Sequence, residues 1–568
     1  MKRLFLAGLL AVAVAAVGPG PAAAATVTVC PSGCAFSQIA PAIQAASPGD
    51  TVKVAAGSYR GGFTIDKSVK LVGAGAAATI IQGGGPVSPV ITIGVPSAST
   101  EPTVSISGVT VTGGANTSFG FAITPAGGGI SIPAAANFTT GATVTISDSA
   151  ISGNRVQVLQ SSSCGPGCTF ANVAGGGIDN AGTLTLNHAT VSKNSAVSDM
   201  SLNAANRLAL GGGIQNYGVG TVTLHASAVT GNRLDVATAT GAGAGTLAFG
   251  GGIDSDGPLT VDTSTITGNS ISVTNTTTTS TDIGTLGLGG GIHIEPNGQA
   301  AVRESTISGN TVAVSAPAGG GGAGGGGIDD DGSLLLLDST VSNNHTSTTV
   351  TSSLSSASAS DDAGAMEVDG SVTIKGTTFS GNSVNETNPA GFSFGAQGGA
   401  LFFGPFTTGA ISDSTFTGNS VHDSSTSGSC TCAFGGAIGN LFSAVTLSND
   451  IISGNTASAS TTTGTVTVQG GGIWNGGTLT LRETTVSSNS GTATGPSGSA
   501  QGGGIWNGDV GFGPPQLTLT DSTVTNNTLS GSKSISVQGG GLFTAFPVTL
   551  TNSNISGNTP DNCSGVSC

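Results

Sequence analysis

The chain has 568 residues, of which 96 are Gly, while only 8% are Asp, Glu, Lys or Arg and 4% are aromatic. Gly costs about 1 kcal/mol at a helix-interior position and Ser and Thr compete with the helical backbone, so coiled coils and helical bundles are excluded; the 37% of apolar residues excludes a solvated, disordered polymer. A formal charge of −15, with 14 Lys and Arg in all, excludes nucleic acid as the partner, because phosphate binding needs clustered cations.

Residues 1–25 read as an export signal: Lys2 and Arg3, an apolar run from Leu4 to Val17, then Gly-Pro-Gly-Pro and the small residues Ala22 to Ala25. No second long apolar run follows, so the expectation is a secreted or cell-surface protein with no membrane span. The eight Cys fall as close pairs: Cys30 with Cys34, Cys164 with Cys168, Cys430 with Cys432, and Cys563 with Cys568. In an oxidising compartment these read as local disulfide clips rather than a metal site, since His is scarce beside them and no Cys-x-x-Cys pair recurs.

From residue 127 to 568 the chain repeats. Gly-Gly-Gly-Ile or a close relative ends at Ile130, Ile178, Ile214, Ile253, Ile292, Ile328, Met366, Leu401, Ile438, Ile473, Ile505 and Leu542. A second anchor, usually Ser/Thr-Gly-Asn, ends at Asn154, Asn194, Asn232, Asn269, Asn310, Asn344, Asn382, Asn419, Asn455, Asn489, Asn527 and Asn558, and the two alternate without exception. Twelve repeats result, most with about 16 to 18 residues from first anchor to second. Within each, Thr-Leu-Thr-Leu alternation marks half-buried strands. The unit therefore reads as three short strands separated by tight turns, which cannot bury an apolar face alone but can when stacked in parallel with its neighbours. Asn at the end of each unit suits an inward or left-handed turn position. The elastic spacers, such as Ser270 to Leu288 and His345 to Ala363, read as loops or outward hairpins on one edge. The predicted architecture is all-β: one right-handed parallel β-helix, with residues 26–126 forming an N-terminal cap and first coils.

Gly398-Gly399-Ala400-Leu401 with Phe416-Thr417-Gly418-Asn419, and Gly435-Gly436-Ala437-Ile438, resemble the repeats of polymorphic outer-membrane proteins. The segment Phe36 to Val54, followed by Gly57-Ser58-Tyr59 and Val69 to Gly73, resembles the N-terminal cap and first coil of secreted β-helix proteins, including pectin methylesterases and polysaccharide lyases. The second resemblance implies a short amphipathic helix, with Ile39, Ile43 and Ala46 facing the core, over the open end of the stack. It carries over no catalytic residues, because no Gln, Asp and Arg constellation of the esterase kind can be placed in the repeats. One fold of this kind hosts many chemistries and also none.

Candidate site residues follow from strand alternation. The first and third residues after each Gly-Gly-Gly-Ile share a face, and in four successive coils these are Asp254 and Asp256, His293 and Glu295, Asp329 and Asp331, Glu367 and Asp369. Asp179 and Tyr217 lie just before them. Stacked carboxylates about 4.8 Å apart repel, so they bind cations, share protons, or form a costly surface. Oxygen donors without Cys favour Ca²⁺, through Asp254, Asp256, Glu295, Asp329, Asp331, Glu367 and Asp369; no cofactor is otherwise required. Further along, the first-position column becomes Phe402, Gly439, Trp474, Trp506 and Phe543.

An acidic stretch continuing into an aromatic stripe fits a polysaccharide groove. The alternative account is that Trp474 and Trp506 cover a hydrophobic edge beneath the spacers and that the acids are a solvated face. The expected function is an elongated binding surface for extracellular or envelope polysaccharide. A lyase or hydrolase at the acids is the runner-up, with Arg303 and Lys375 as candidate lyase bases and the eight acidic-face residues as catalytic candidates. An adhesive or ice-binding surface on the column Thr145, Thr185, Thr223 and Thr260 is weaker, because Ala301, Leu335 and Ala410 interrupt it.

Overall fold

A computed structural model of the chain describes residues 24–83, 85, 88–96, 98–119, 126–159, 170–200, 206–238, 245–275, 284–316, 320–350, 358–388, 392–427 and 430–568. The export signal, apart from its last two residues, lies outside this set.

The coil that begins at Ile253 shows how the repeat folds. Ile253–Ser255, Leu259–Asp262 and Thr265–Thr267 form three short strands, and the spacer then contributes two more, Ser270–Asn275 and Thr285–Leu288, before Ile292–Ile294 opens the next coil. Every strand pairs in parallel with its counterpart one coil away, for example Asp254 with His293 and Val261 with Val302. Five sheets run along the resulting parallel β-solenoid. The Thr-Leu-Thr-Leu strands make sheet A with 16 strands, the Thr-Val-Ser strands sheet B with 15 and the Gly-Gly-Ile strands sheet C with 15; the spacers make sheet D with 12 strands and sheet E with 11.

Sheets A, B and C enclose the main core, a continuous column of Ile, Val and Leu in which Leu184, Leu186, Val191 and Ile214 are fully buried. The spacers depart from the expectation of loops or outward hairpins. Their strands alternate apolar and polar residues as the main coil does, so sheets D and E face each other over cores of their own, among them Leu234, Val236, Ile271, Val273, Val312 and Val314. The cross-section is thus a three-sided prism carrying a two-layered fin.

The anchor asparagines occupy the inward position, and the residue before each takes the left-handed turn, as Gly231 (φ 61°) and Lys193 (φ 53°) do. At Asn310, the Oδ1 accepts the backbone N–H and the Nδ2 of Asn269, both at 3.0 Å, while its own Nδ2 donates to Ile266 O and Asn344 Oδ1 at 2.9 Å. Repeated from Asn154 to Asn558, this pattern forms a buried amide ladder where sheet B gives way to sheet D. The glycine anchor has an equally local cause. Gly250 bends the chain from sheet E into sheet C at φ 70°, and a Cβ on Gly251 would collide with Gly290 O of the next coil.

At the N-terminal end, helix α1 (Ile39–Ala45) packs against strands Thr26–Val29, Thr51–Val54 and Phe63–Ile65, with Ile39, Ala42 and Ile43 buried. Disulfides join Cys30 to Cys34, Cys430 to Cys432 and Cys563 to Cys568, as their spacing led one to expect. The fourth expected clip is not among these three: Cys164 and Cys168 both fall in residues 160–169, outside the described residues. Among the described residues no helix is long and apolar enough to cross a membrane.

Candidate functional site

The outer face of sheet C carries two columns. The first-position residues, Asp254, His293, Asp329 and Glu367, lie in the crease where sheet E folds back over sheet C, and are 0%, 1%, 1% and 9% exposed. The last residue of each sheet E strand covers them: the ring of Phe249 stacks on His293 with centroids 4.7 Å apart. Gly324 stands over Glu367, where a Cβ would run into Oε2, so a side chain there would displace the carboxyl. The third-position residues emerge at the turn into sheet A and form a rim. Asp256, Glu295 and Asp331 are half-buried there and Asp369 is exposed.

His293 gathers this cluster. Its Nδ1 lies 2.6 Å from Asp254 Oδ1 and 3.9 Å from Glu295 Oε1, and its Nε2 lies 3.2 Å from Asp329 Oδ2 and 3.7 Å from Asp331 Oδ2. Burial opposes a charge on the ring, but the hydrogen bond to Asp254, the nearby Asp331 carboxyl and the charges of Asp254 and Asp329 outweigh it and hold the imidazole well above its ordinary range. The same burial, reinforced by neighbouring acids, holds Asp329 and Glu367 well above the carboxylate range. Burial and the charge of Asp254 push Glu295 up to about 7. No Lys or Arg forms an ion pair with any of these acids among the described residues.

In comparisons with protein-family models, curated proteins and solved structures, nothing matches this chain. The site is therefore read from its own geometry.

The aromatic column runs on in the same crease. Phe402, Trp474 and Trp506 are 3%, 4% and 6% exposed and Phe543 is half-buried. Trp474 stacks on Phe434 of sheet E at 5.1 Å and on Trp506 at 5.8 Å, and its Nε1 donates to Gln469 Oε1 at 3.0 Å. Of the two roles the sequence allowed these rings, a ligand stripe or the cover of a hydrophobic edge beneath the spacers, their burial matches the second: they seal the prism to the fin, because the spacers are sheets long enough to cover them. Arg303 and Lys375 end strands of sheet A, on a different face from the acids, and Lys375 pairs with Asp413 at 3.8 Å.

Three further groups lie near the site; Asp330 and the residues Phe406, Phe442 and Phe512 were not singled out from the sequence, whereas Asp179, Tyr217 and Asp256 were. Asp330 points inward between Ile294 and Val368, with burial pushing it up to about 7. Asp179, held by Tyr217 and pushed up to about 7 by burial, joins Phe138, Val219 and Asp256 in a cavity of about 430 Å³ at the same rim. Beyond Asp369, the turns from sheet C to sheet A present Phe406, Phe442 and Phe512 around a groove of about 470 Å³. Phe406 is 76% and Phe512 55% exposed; Phe406 meets Phe442 edge-on at 5.3 Å and Phe442 lies 5.6 Å from Phe512. Their signal in the sequence is a Phe in the turn after three strands of sheet C, at Gly404 to Phe406, Leu441 to Phe442 and Val510 to Phe512.

Proposed function

We propose that the protein is an exported β-solenoid that binds a polysaccharide along the edge between sheets C and A. The observation that carries this reading is the exposed pair Phe406 and Phe512 flanking the half-buried Phe442, whose groove begins one coil beyond the acidic rim of Asp256, Glu295, Asp331 and Asp369. Rings gathered along one edge offer sugar faces a stacking platform, and rim carboxylates accept hydroxyl hydrogen bonds or hold a bridging Ca²⁺. The similarity of the repeats to polymorphic outer-membrane proteins, and the leader-like first 25 residues, support an extracellular or cell-surface place for it.

Affinity electrophoresis against acidic and neutral polysaccharides tests the reading. Phe406→Ala and Phe512→Ala alter exposed side chains and should each weaken retention about tenfold while leaving the melting temperature in place. Retention of no polysaccharide, or retention indifferent to both substitutions, rejects it.

Glycoside hydrolysis is a second reading, favoured by the half-exposed Glu295 held near 7 beside Asp331 of the next coil. A proton-bearing acid beside a second carboxyl on the adjacent coil, one strand spacing of about 4.8 Å along the stack, suits retaining hydrolysis. Release of reducing ends that Glu295→Gln abolishes would establish it. With Arg303 and Lys375 on another face, a lyase using either as its base finds no support.

A further inference from the structure

The buried centre of the acidic cluster has a feature that a binding rim does not require. The imidazole of His293 is oriented from one side and faces open carboxylates on the other. Asp254 Oδ1 accepts the Nδ1 proton at 2.6 Å, which fixes the ring and turns Nε2 toward Asp329 and Asp331, where an entering ion would replace the Nε2 proton. Asp329 is 1% exposed, yet neither of its carboxylate oxygens accepts a hydrogen bond, and Oε2 of Glu367, its neighbour in the sheet register, is likewise buried without a partner. Leaving buried carboxylate oxygens unbonded is costly in a site that nothing enters.

We propose that His293 Nε2, Asp329 and Asp331 bind a divalent transition ion of the Zn²⁺, Mn²⁺ or Co²⁺ class, with Asp254 as the residue that positions the imidazole and Glu367 as a fourth donor one coil away. The distances choose between the two sides of the ring. A tetrahedral ion with bonds of about 2.1 Å holds its ligand atoms about 3.4 Å apart, and Asp329 Oδ2 and Asp331 Oδ2 already stand 3.2 and 3.7 Å from Nε2. On the Nδ1 side the separations are 2.6 and 3.9 Å, a hydrogen bond and a distant rim acid. A carboxylate–histidine pair behind a nitrogen ligand is the usual outer-shell arrangement of such ions. The donor set of one nitrogen and a few carboxylates is too small and too soft for Ca²⁺, which takes six to eight oxygens. Asp331, with 27% of its side chain exposed, gives an ion a way in from the rim. The site does not depend on the polysaccharide reading.

The test is isothermal titration of the metal-stripped full chain with Zn²⁺, Mn²⁺ and Co²⁺, with Ca²⁺ as comparator. Uptake of about one ion per chain is expected. Asp329→Asn and Asp254→Asn should each weaken it by about 10- to 100-fold, and Glu295→Gln by less than about threefold. Circular dichroism accompanies each variant. Should a variant not fold, the wild-type chain loaded with Cu²⁺ still decides the question, since its electron paramagnetic resonance spectrum must show coupling to one imidazole nitrogen. No stoichiometric uptake, Ca²⁺ bound as tightly as Zn²⁺, absence of nitrogen coupling, or loss of binding in Glu295→Gln but not in folded Asp331→Asn each overturns the assignment.

Discussion

Each ladder asparagine uses both ends of its amide, so deleting one strands several buried partners at once. In Asn310→Ala the backbone N–H of Asn269 loses its acceptor and Ile266 O loses the Nδ2 donor in a water-free position, while Asn269 Nδ2 keeps only Val229 O and Asn344 Oδ1 keeps only the backbone N–H of residue 310. An orphaned buried group costs about 1–3 kcal/mol, and the expected loss is about 3–5 kcal/mol, read as a lower urea midpoint with unchanged slope. A loss below about 1 kcal/mol would show that the ladder accompanies the fold without supporting it.

The buried acids outside the cluster set a second residue-level expectation. Burial pushes Asp179 and Asp362 up to about 7 and Asp450 up to about 6, and holds Asp361 well above its ordinary range. In the unfolded chain these groups ionise near 3.8. As pH rises from about 4 to about 7, the unfolded state therefore loses protons that the folded state keeps, and stability falls. His293 acts in the same direction above 6.5, since the folded state keeps its proton longer. Asp50, lowered by hydrogen bonds from Ser47 and Ala25, acts oppositely and only at the acid end. The melting temperature should be higher near pH 5 than near pH 8; a rise across that interval would contradict the burial of these groups.

At the scale of elements, sheet E decides which residues of sheet C are available to a ligand. The first-position column of sheet C is polar in seven coils, from Ser131 to Glu367, and aromatic in four others, a pattern that on an open sheet would be a continuous groove. The returning spacer strands cover the first-position column and leave the third-position acids at the rim. Because the chain contains only two Trp and both lie under sheet E, their emission should be blue-shifted and resistant to acrylamide quenching. Adding a retained polysaccharide should leave that emission unchanged while Phe406 and Phe512 carry the binding. A ligand-induced shift in Trp emission would mean that sheet E lifts from sheet C.

For the whole molecule, parallel stacking makes length a matter of counting. Sheet A has 16 strands, and fifteen steps of about 4.8 Å give a rod about 72 Å long. Small-angle scattering of the chain without residues 1–25 should give the pair-distance distribution of a rod, with a cross-section widened on one side by the fin. A globular profile would be incompatible with sixteen parallel rungs. The net charge of −15, in a chain with few cations to offset the acidic rim, should favour partners that are neutral or that bring counter-ions, so binding of acidic polysaccharides should depend on added divalent ions.

The sequence determined the stack, because the features that specify it are local and repeated. Thr-Leu-Thr-Leu alternation sets a strand and its inward face, Gly-Gly-Gly permits a bend and an approach that a Cβ forbids, and one Asn per coil closes the amide ladder. It also placed Asp254, Asp256, His293, Glu295, Asp329, Asp331, Glu367 and Asp369 on one face, since alternation in a strand is a property of the backbone. What it left open was which of these residues water reaches. The spacers vary in length and are filled with Thr, Ser, Gly and Ala, whose alternation is too weakly apolar to show two further sheets. Only stacking, which lets each spacer strand pair with its neighbours over a shared thin core, turned them into a lid over Trp474, Trp506 and His293. The Phe groove and the approach of Asp329 and Asp331 to one imidazole nitrogen were likewise decided by the turn geometry and register of separate coils, distances that exist only once the solenoid is assembled.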